Sequence, residues 1–339
     1  MLLDDLVTAV VMGPGGPVGA PPYPGRVHGT RGLERDWQPD WPCPMRQNLS
    51  VLRRGAGDPT FRIDPDGTVW RGIRTPDGPA TLRLRQRYED PDSTVDAAAW
   101  GPGAIWALDS VPGLLGAADD PSGFEPVHKP LAVLHRQQPH WRIVRTGLVM
   151  EALVPAIIEQ KVTGQEAFAG FRALVHRFGE RAPGPGAERR LWVQPTPDQL
   201  RVIPSWEWLR LHIDPARSRA VVQAARLATS LERTVGLPGG EVDRRLRSVP
   251  GIGVWTAAEV RFRAHGDADA VSFGDYHVAK NVGWALTGEA VDDDGLAALL
   301  EPYRPHRYRV QRLVELGRAG RPRRGPRMAP RTHLPGRNA

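Results

Sequence analysis

The densest chemistry in the sequence lies between Leu246 and Leu286. An apolar helix end runs into Pro250, Gly251, Ile252 and Gly253, and a second apolar helix start follows at Val254, Trp255 and Thr256. Two glycines in so short a connection permit a positive φ and a close approach of backbones, as a helix-hairpin-helix turn requires. The amides that open the second helix have no helical acceptor and suit one phosphate oxygen. Such a turn grips a nucleic-acid backbone without reading bases. A plain loop between two packed helices would look the same in sequence. Twenty residues after Trp255, Asp275 follows Gly274 and opens a further helix. A carboxylate at that position is commonly an N-cap. The turn and the carboxylate at this spacing form a much rarer combination than either alone.

These residues need elements to hold them. From Gly103 onward, stretches such as GLVMEALVPAIIEQKV, QEAFAGFRALVHRFG, ARSRAVVQAARLATSLER and DGLAALLEPY place apolar residues at three- and four-residue steps. That period predicts helices, eight to ten short ones, separated by Pro/Gly linkers. Between Pro59 and Gly101, TFRI, TVWRGIRT, ATLRLRQRY and TVDAAAW are separated by DPDG, PDGP and EDPD turns, the pattern of a small antiparallel sheet. The expected organisation is an irregular Gly/Pro-rich extension over residues 1–40, a β-domain over 41–125, a helical domain over 126–317 and a basic, disordered tail over 318–339. The fold class is α+β, mostly helical.

Composition excludes several classes of function. The 339 residues carry 45 Lys+Arg against 38 Asp+Glu, an excess of seven. Seven arginines and no carboxylate lie beyond Gly317, so the body is neutral and the tail supplies the net charge. The tail is expected to add salt-sensitive attraction to a polyanion, separate from the site itself. A single cysteine, Cys43, excludes an internal disulfide, a four-cysteine zinc site and an iron–sulfur cluster held by this chain's own thiolates. The histidines form no zinc-binding pattern, and no cofactor is expected. No apolar run reaches the roughly 18 residues of a membrane span, and the first twelve residues are unlike a signal peptide. The chain is read as cytoplasmic.

With hairpin and carboxylate in place, the sequence resembles the helix-hairpin-helix DNA glycosylases, and within them the DNA-3-methyladenine glycosylase II branch, which acts on alkylated bases. PGIGVWTAAEV (250–260), SFGDYHVAKNVGWAL (272–286), ALVPAIIEQKVTGQEA (152–167) and QPTPDQL (194–200) carry the resemblance, which covers roughly residues 140–317. The N-terminal sheet is consistent with that branch's extra β-domain.

The resemblance implies a monomeric, nucleoid-associated base-excision repair enzyme acting on damaged double-stranded DNA, with Asp275 as its catalytic carboxylate. Breaking an N-glycosidic bond develops cationic character on the sugar, which a fixed carboxylate stabilises while it orients or deprotonates the attacking water. The lysine by which some relatives form a Schiff base and cut the strand is replaced here by Trp255, which implies a monofunctional enzyme; Lys280 is read as a solvated helix lysine. Gln160 or Lys161 would fill the gap left by the extruded nucleotide. Trp255, Tyr276, Trp206 and Trp208 are candidates for a π-face over the flipped base. Two positions that hold aromatics in the branch are Glu259 and His306, and Glu259 could pair with Arg261 or Arg263 or face a base edge. Backbone carbonyls of Arg247, Val249 and Ile252 could hold a monovalent cation. A DNA-binding protein that senses lesions without catalysis, and a glycosylase for a deaminated or oxidised base, remain as alternatives.

Overall fold

A computed structural model describes residues 32–88 and 93–322. The expected extension over residues 1–31 and the tail beyond residue 322 lie outside the described residues.

Five antiparallel strands form the N-terminal sheet: β1 Leu33–Trp37, β2 Phe61–Ile63, β3 Val69–Thr75, β4 Gly78–Tyr88 and β5 Ser93–Trp100, in the order β1-β5-β4-β3-β2. The four strands expected between Pro59 and Gly101 are all present. The expected irregular stretch ends earlier than residue 40, because Leu33–Trp37 pairs with β5 from Leu33 opposite Ala99 to Trp37 opposite Val95. Period-2 alternation sets one face inward: Val69 and Ile73, Ala80, Leu82 and Leu84, and Val95, Ala97 and Ala99 are buried against the helices Ala104–Asp109 and Val111–Leu115. The opposite face is covered around Trp70 by a short hairpin, β6 Glu180–Arg181 with β7 Trp192–Val193. Helical periodicity gave no sign of this hairpin.

Beyond the sheet, thirteen α-helices lie between residues 126 and 317 among the described residues, more than the eight to ten expected. Single apolar periods proved to be two helices. ARSRAVVQAARLATSLER, for instance, breaks at Leu227 between Pro215–Arg226 and Ala228–Glu232. The helices pack into two apolar cores. One is built on Val149–Ile158 and Pro215–Arg226, the other on Val278–Thr287 and Arg307–Leu316. The helix Val254–Val260, which the Pro250–Gly253 turn opens, belongs to both: Ala257 and Val260 face the first core, Ala258 the second.

The N-terminal region, sheet and loops together, is bound to the helices that follow it by buried charge as well as by apolar area. Arg71 pairs with Glu151, and Arg54 with Glu159 at 2.6 Å. Arg309 on the last helix meets Asp119 at 2.7 Å with both side chains 2% exposed. Removing one partner of such a pair leaves a charge without compensation in low dielectric, which costs about 3–5 kcal/mol.

Candidate active site

The hairpin has the geometry its sequence requires. Gly239–Arg247 and Val254–Val260 are its helices, and the buried side chain of Ile252 pins the turn to the core while Pro250, Gly251 and Gly253 stay exposed. Gly251 sits at φ +91°, and a Cβ there would lie 2.8 Å from the Cβ of Ala220. Glycine is needed at this position for both reasons. The Ile252 amide donates to the Val249 carbonyl at 3.0 Å.

The hairpin is fastened to the turn after Val149–Ile158 by Gln160, whose Nε2 donates to the Gly251 carbonyl at 2.9 Å and to Thr256 Oγ1 at 2.8 Å. The next residue, Lys161, is exposed and left-handed at φ +55°. Thr163 then opens the following helix with a capping box to Glu166, so the turn is fixed at both ends. Of the two plug candidates, Gln160 is held by the hairpin and Lys161 stands free of it.

Asp275 accepts the amides of His277 at 2.7 Å and Val278 at 3.1 Å through Oδ1, and so caps the helix Val278–Thr287. Its other oxygen, Oδ2, accepts the indole N–H of Trp255 at 3.1 Å. The two residues that stood twenty apart in sequence are thus in contact, with the carboxylate oriented from both sides. Both line a cavity of about 630 Å³, large enough for a nucleobase and open to solvent.

The floor of this cavity is charged. Glu259 Oε2 accepts from Arg263 Nη1 at 2.6 Å, and Oε1 accepts the Ser272 hydroxyl at 2.7 Å. Of the two possible arginine partners the structure selects Arg263, because Arg261 is occupied by Asp267 at 2.6 Å. Burial works against the Arg263 charge, but Glu259 and Glu159 outweigh it and raise its pKa above the ordinary value. Arg54, beside them, is pushed down by burial and by Arg263. Gln311 accepts the Ser272 amide at 3.1 Å and donates to Glu315 at 3.1 Å. Phe262 supplies the apolar part of the wall and stacks on Tyr308 with ring centroids 4.2 Å apart.

The other pocket candidates are placed differently. Tyr276 is 74% exposed and does not line the cavity; its ring lies under Lys280 Nζ at 3.9 Å. Lys280, on the helix Val278–Thr287, is of intermediate exposure. Trp208 is 2% exposed within the first helical core and Trp206 is 60% exposed on the surface, both outside the cavity. His306 is buried edge-on to Phe124, also away from it. Helical spacing could not separate these aromatics from core packing.

Sequence reasoning missed the remaining walls: Ser50 and Val51 between β1 and β2, Gln311, Arg312 and Glu315 on the last helix, and Arg318 and Arg321 after it. The last two were assigned to a tail separate from the site, and the structure corrects this by placing both on the cavity. Their signal was absent because they are distant in sequence from both the hairpin and Asp275.

No family model matches the sequence, and no curated protein matches it either. Solved structures do match. A 3-methyladenine DNA glycosylase from Archaeoglobus fulgidus superposes with a TM-score of 0.69 at 16% identity, over 84% of this chain and 98% of that one. An 8-oxoguanine glycosylase/lyase from Clostridium acetobutylicum does so in its apo form with a TM-score of 0.64 at 11% identity, over 86% of this chain and 97% of that one. The same enzyme in complex with double-stranded DNA gives 0.63 at 12% identity, over 84% and 97%. The fold is that of the helix-hairpin-helix DNA glycosylases. The similarity runs through the sheet as well as the helices, since it covers most of the chain.

Proposed function

We propose that the protein is a monofunctional DNA glycosylase that hydrolyses the N-glycosidic bond of a damaged base in duplex DNA and leaves an abasic site. The observation that carries this reading is Asp275, oriented by Trp255 on the wall of a base-sized cavity adjoining the hairpin. In this mechanism the hairpin amides take a backbone phosphate, Lys161 enters the gap in the stack and the extruded nucleotide fills the cavity. Asp275 then stabilises the sugar cation and directs water to it. No cofactor takes part, and a cation at the turn of Arg247, Val249 and Ile252 would only brace the hairpin. Because Trp255 occupies the position implied for the imine-forming lysine, strand cleavage is not expected.

An alkylated purine such as 3-methyladenine fits this site. The indole face of Trp255 favours a cationic base, and such a base departs without a general acid. The charged floor of Glu259, Arg263, Ser272 and Gln311 favours a second reading, a neutral oxidised or deaminated base held by hydrogen bonds along its edge.

The test is release of free base, followed by chromatography, from duplexes carrying methylated, oxidised or deaminated bases. Wild type should release one class without strand cleavage, and Asp275→Asn should abolish release while still binding. Equal binding by both proteins with no release from any duplex would favour the lesion-sensing alternative. A covalent adduct trapped by borohydride would overturn the monofunctional assignment.

A further inference from the structure

The charges around the cavity are almost all paired within the protein. Glu159 meets Arg54, Glu259 meets Arg263, and Glu315 meets Arg312 at 2.8 Å. Asp275 is satisfied by two amides and an indole. Two guanidinium groups remain on the cavity wall, Arg318 and Arg321, both exposed and without an acidic partner among the described residues.

The segment that bears them is fastened in place. After the helix Arg307–Leu316, the amides of Arg318 and Ala319 return to the carbonyls of Glu315 and Val314, each at 3.1 Å, with Arg318 left-handed at φ +51°. Gly320 then lies flat against Asn281, where a Cβ would come within 2.8 Å of the amide carbon. The Arg321 amide donates to Asn281 Oδ1 at 3.2 Å. Asn281 belongs to the helix that Asp275 caps, so the segment and the carboxylate share one support.

From this arrangement, and resting on the glycosylase reading, we propose that Arg318–Arg321 is an anion clamp in which Arg318 and Arg321 grip the phosphates flanking the extruded nucleotide. Two unpaired guanidinium groups at the mouth of an internally neutralised cavity match phosphate in charge and in donor geometry. The clamp acts on the flipped nucleotide, whereas arginines farther along the chain would add attraction to any stretch of duplex.

The test compares binding to a duplex containing a tetrahydrofuran abasic-site analogue with binding to the matched undamaged duplex, over a range of salt concentrations. The proteins are the full chain, the double variant Arg318→Ala/Arg321→Ala, its Lys/Lys counterpart, and a chain ending after Pro322. The double alanine variant should lose about tenfold in affinity for the abasic duplex, with much less loss on the undamaged one, and its salt slope should fall by roughly two. The lysine variant should recover part of the affinity. The shortened chain should weaken on both duplexes alike. Equal loss on both duplexes by the double alanine variant, or wild-type binding to the abasic duplex, would overturn the clamp. If wild type releases no base from any damaged duplex while the abasic preference still depends on the two arginines, the enzymatic reading fails and the clamp stands. Normal release with no such dependence leaves the enzyme and removes the clamp.

Discussion

At the scale of single residues, the site depends on one hydrogen bond that a sequence pattern could not show. Trp255 marked the absence of a lysine and was a candidate stacking surface, but its indole N–H also orients Asp275. Trp255→Phe keeps most of the ring and removes the donor. A hydrogen bond to a charged acceptor contributes about 1.5–3 kcal/mol, so base release in single turnover should slow by tenfold or more. DNA affinity should hardly change, and a parallel loss of affinity would mean that the ring acts mainly in binding. Glu259 gives a different prediction. Glu259→Ala would leave Arg263 buried without its carboxylate and should cost about 3–5 kcal/mol in denaturant unfolding, whereas Glu259→Gln keeps an acceptor for Ser272 and should cost less. Asp275 and the hairpin were legible because their spacing is local. Arg263 was legible only as one of two partners for Glu259, since the competing pair of Arg261 with Asp267 appears only once the helix end is folded.

At the scale of elements, the two glycines of the hairpin do different work. Gly251 combines a positive φ with a blocked Cβ position, while Gly253 has an ordinary φ of −94° and nothing within 4 Å of a would-be Cβ. Gly251→Ala should therefore distort the turn, lowering DNA affinity by about tenfold and stability by more than 1 kcal/mol. Gly253→Ala should be near neutral in stability when measured beside it. Periodicity located most helices but not their breaks. Leu227 continues the apolar pattern yet sits at φ −102°, ψ 6°, where the helix direction changes. Strand β1 was hidden by the Gly/Pro-rich stretch before it: LERDW alternates over only five residues, and its partner lies some sixty residues downstream.

At the scale of the molecule, stability should carry a mark of pH. His265 ends the π-helical turn Arg261–His265 that continues the hairpin's second helix; it is half-buried against Thr234, and burial pushes its pKa down to about 4. The unfolded chain would take up that proton near the ordinary imidazole value of 6.5, so between pH 6.5 and 4 the unfolded state binds more protons. Stability from this residue is complete above pH 6.5 and is lost as pH falls toward 4, by up to about 3 kcal/mol. Denaturation midpoints measured across that window should fall for wild type and fall less for His265→Gln; identical slopes would assign the titration to other groups.

The same scale explains why the cavity was only partly visible in sequence. Its walls come from residues near 50, 160, 260, 275 and 320, and their meeting is a property of the packed chain. The first of these walls bears on how the protein can be divided. Arg263 Nε donates to the Val51 carbonyl at 3.2 Å and Arg312 donates to Ser50 Oγ at 2.7 Å, while Arg54 holds Glu159. A helical half grafted onto a foreign sheet would have to recreate a carbonyl, a hydroxyl and a guanidinium at those points. The two halves are thus poor candidates for exchange as modules.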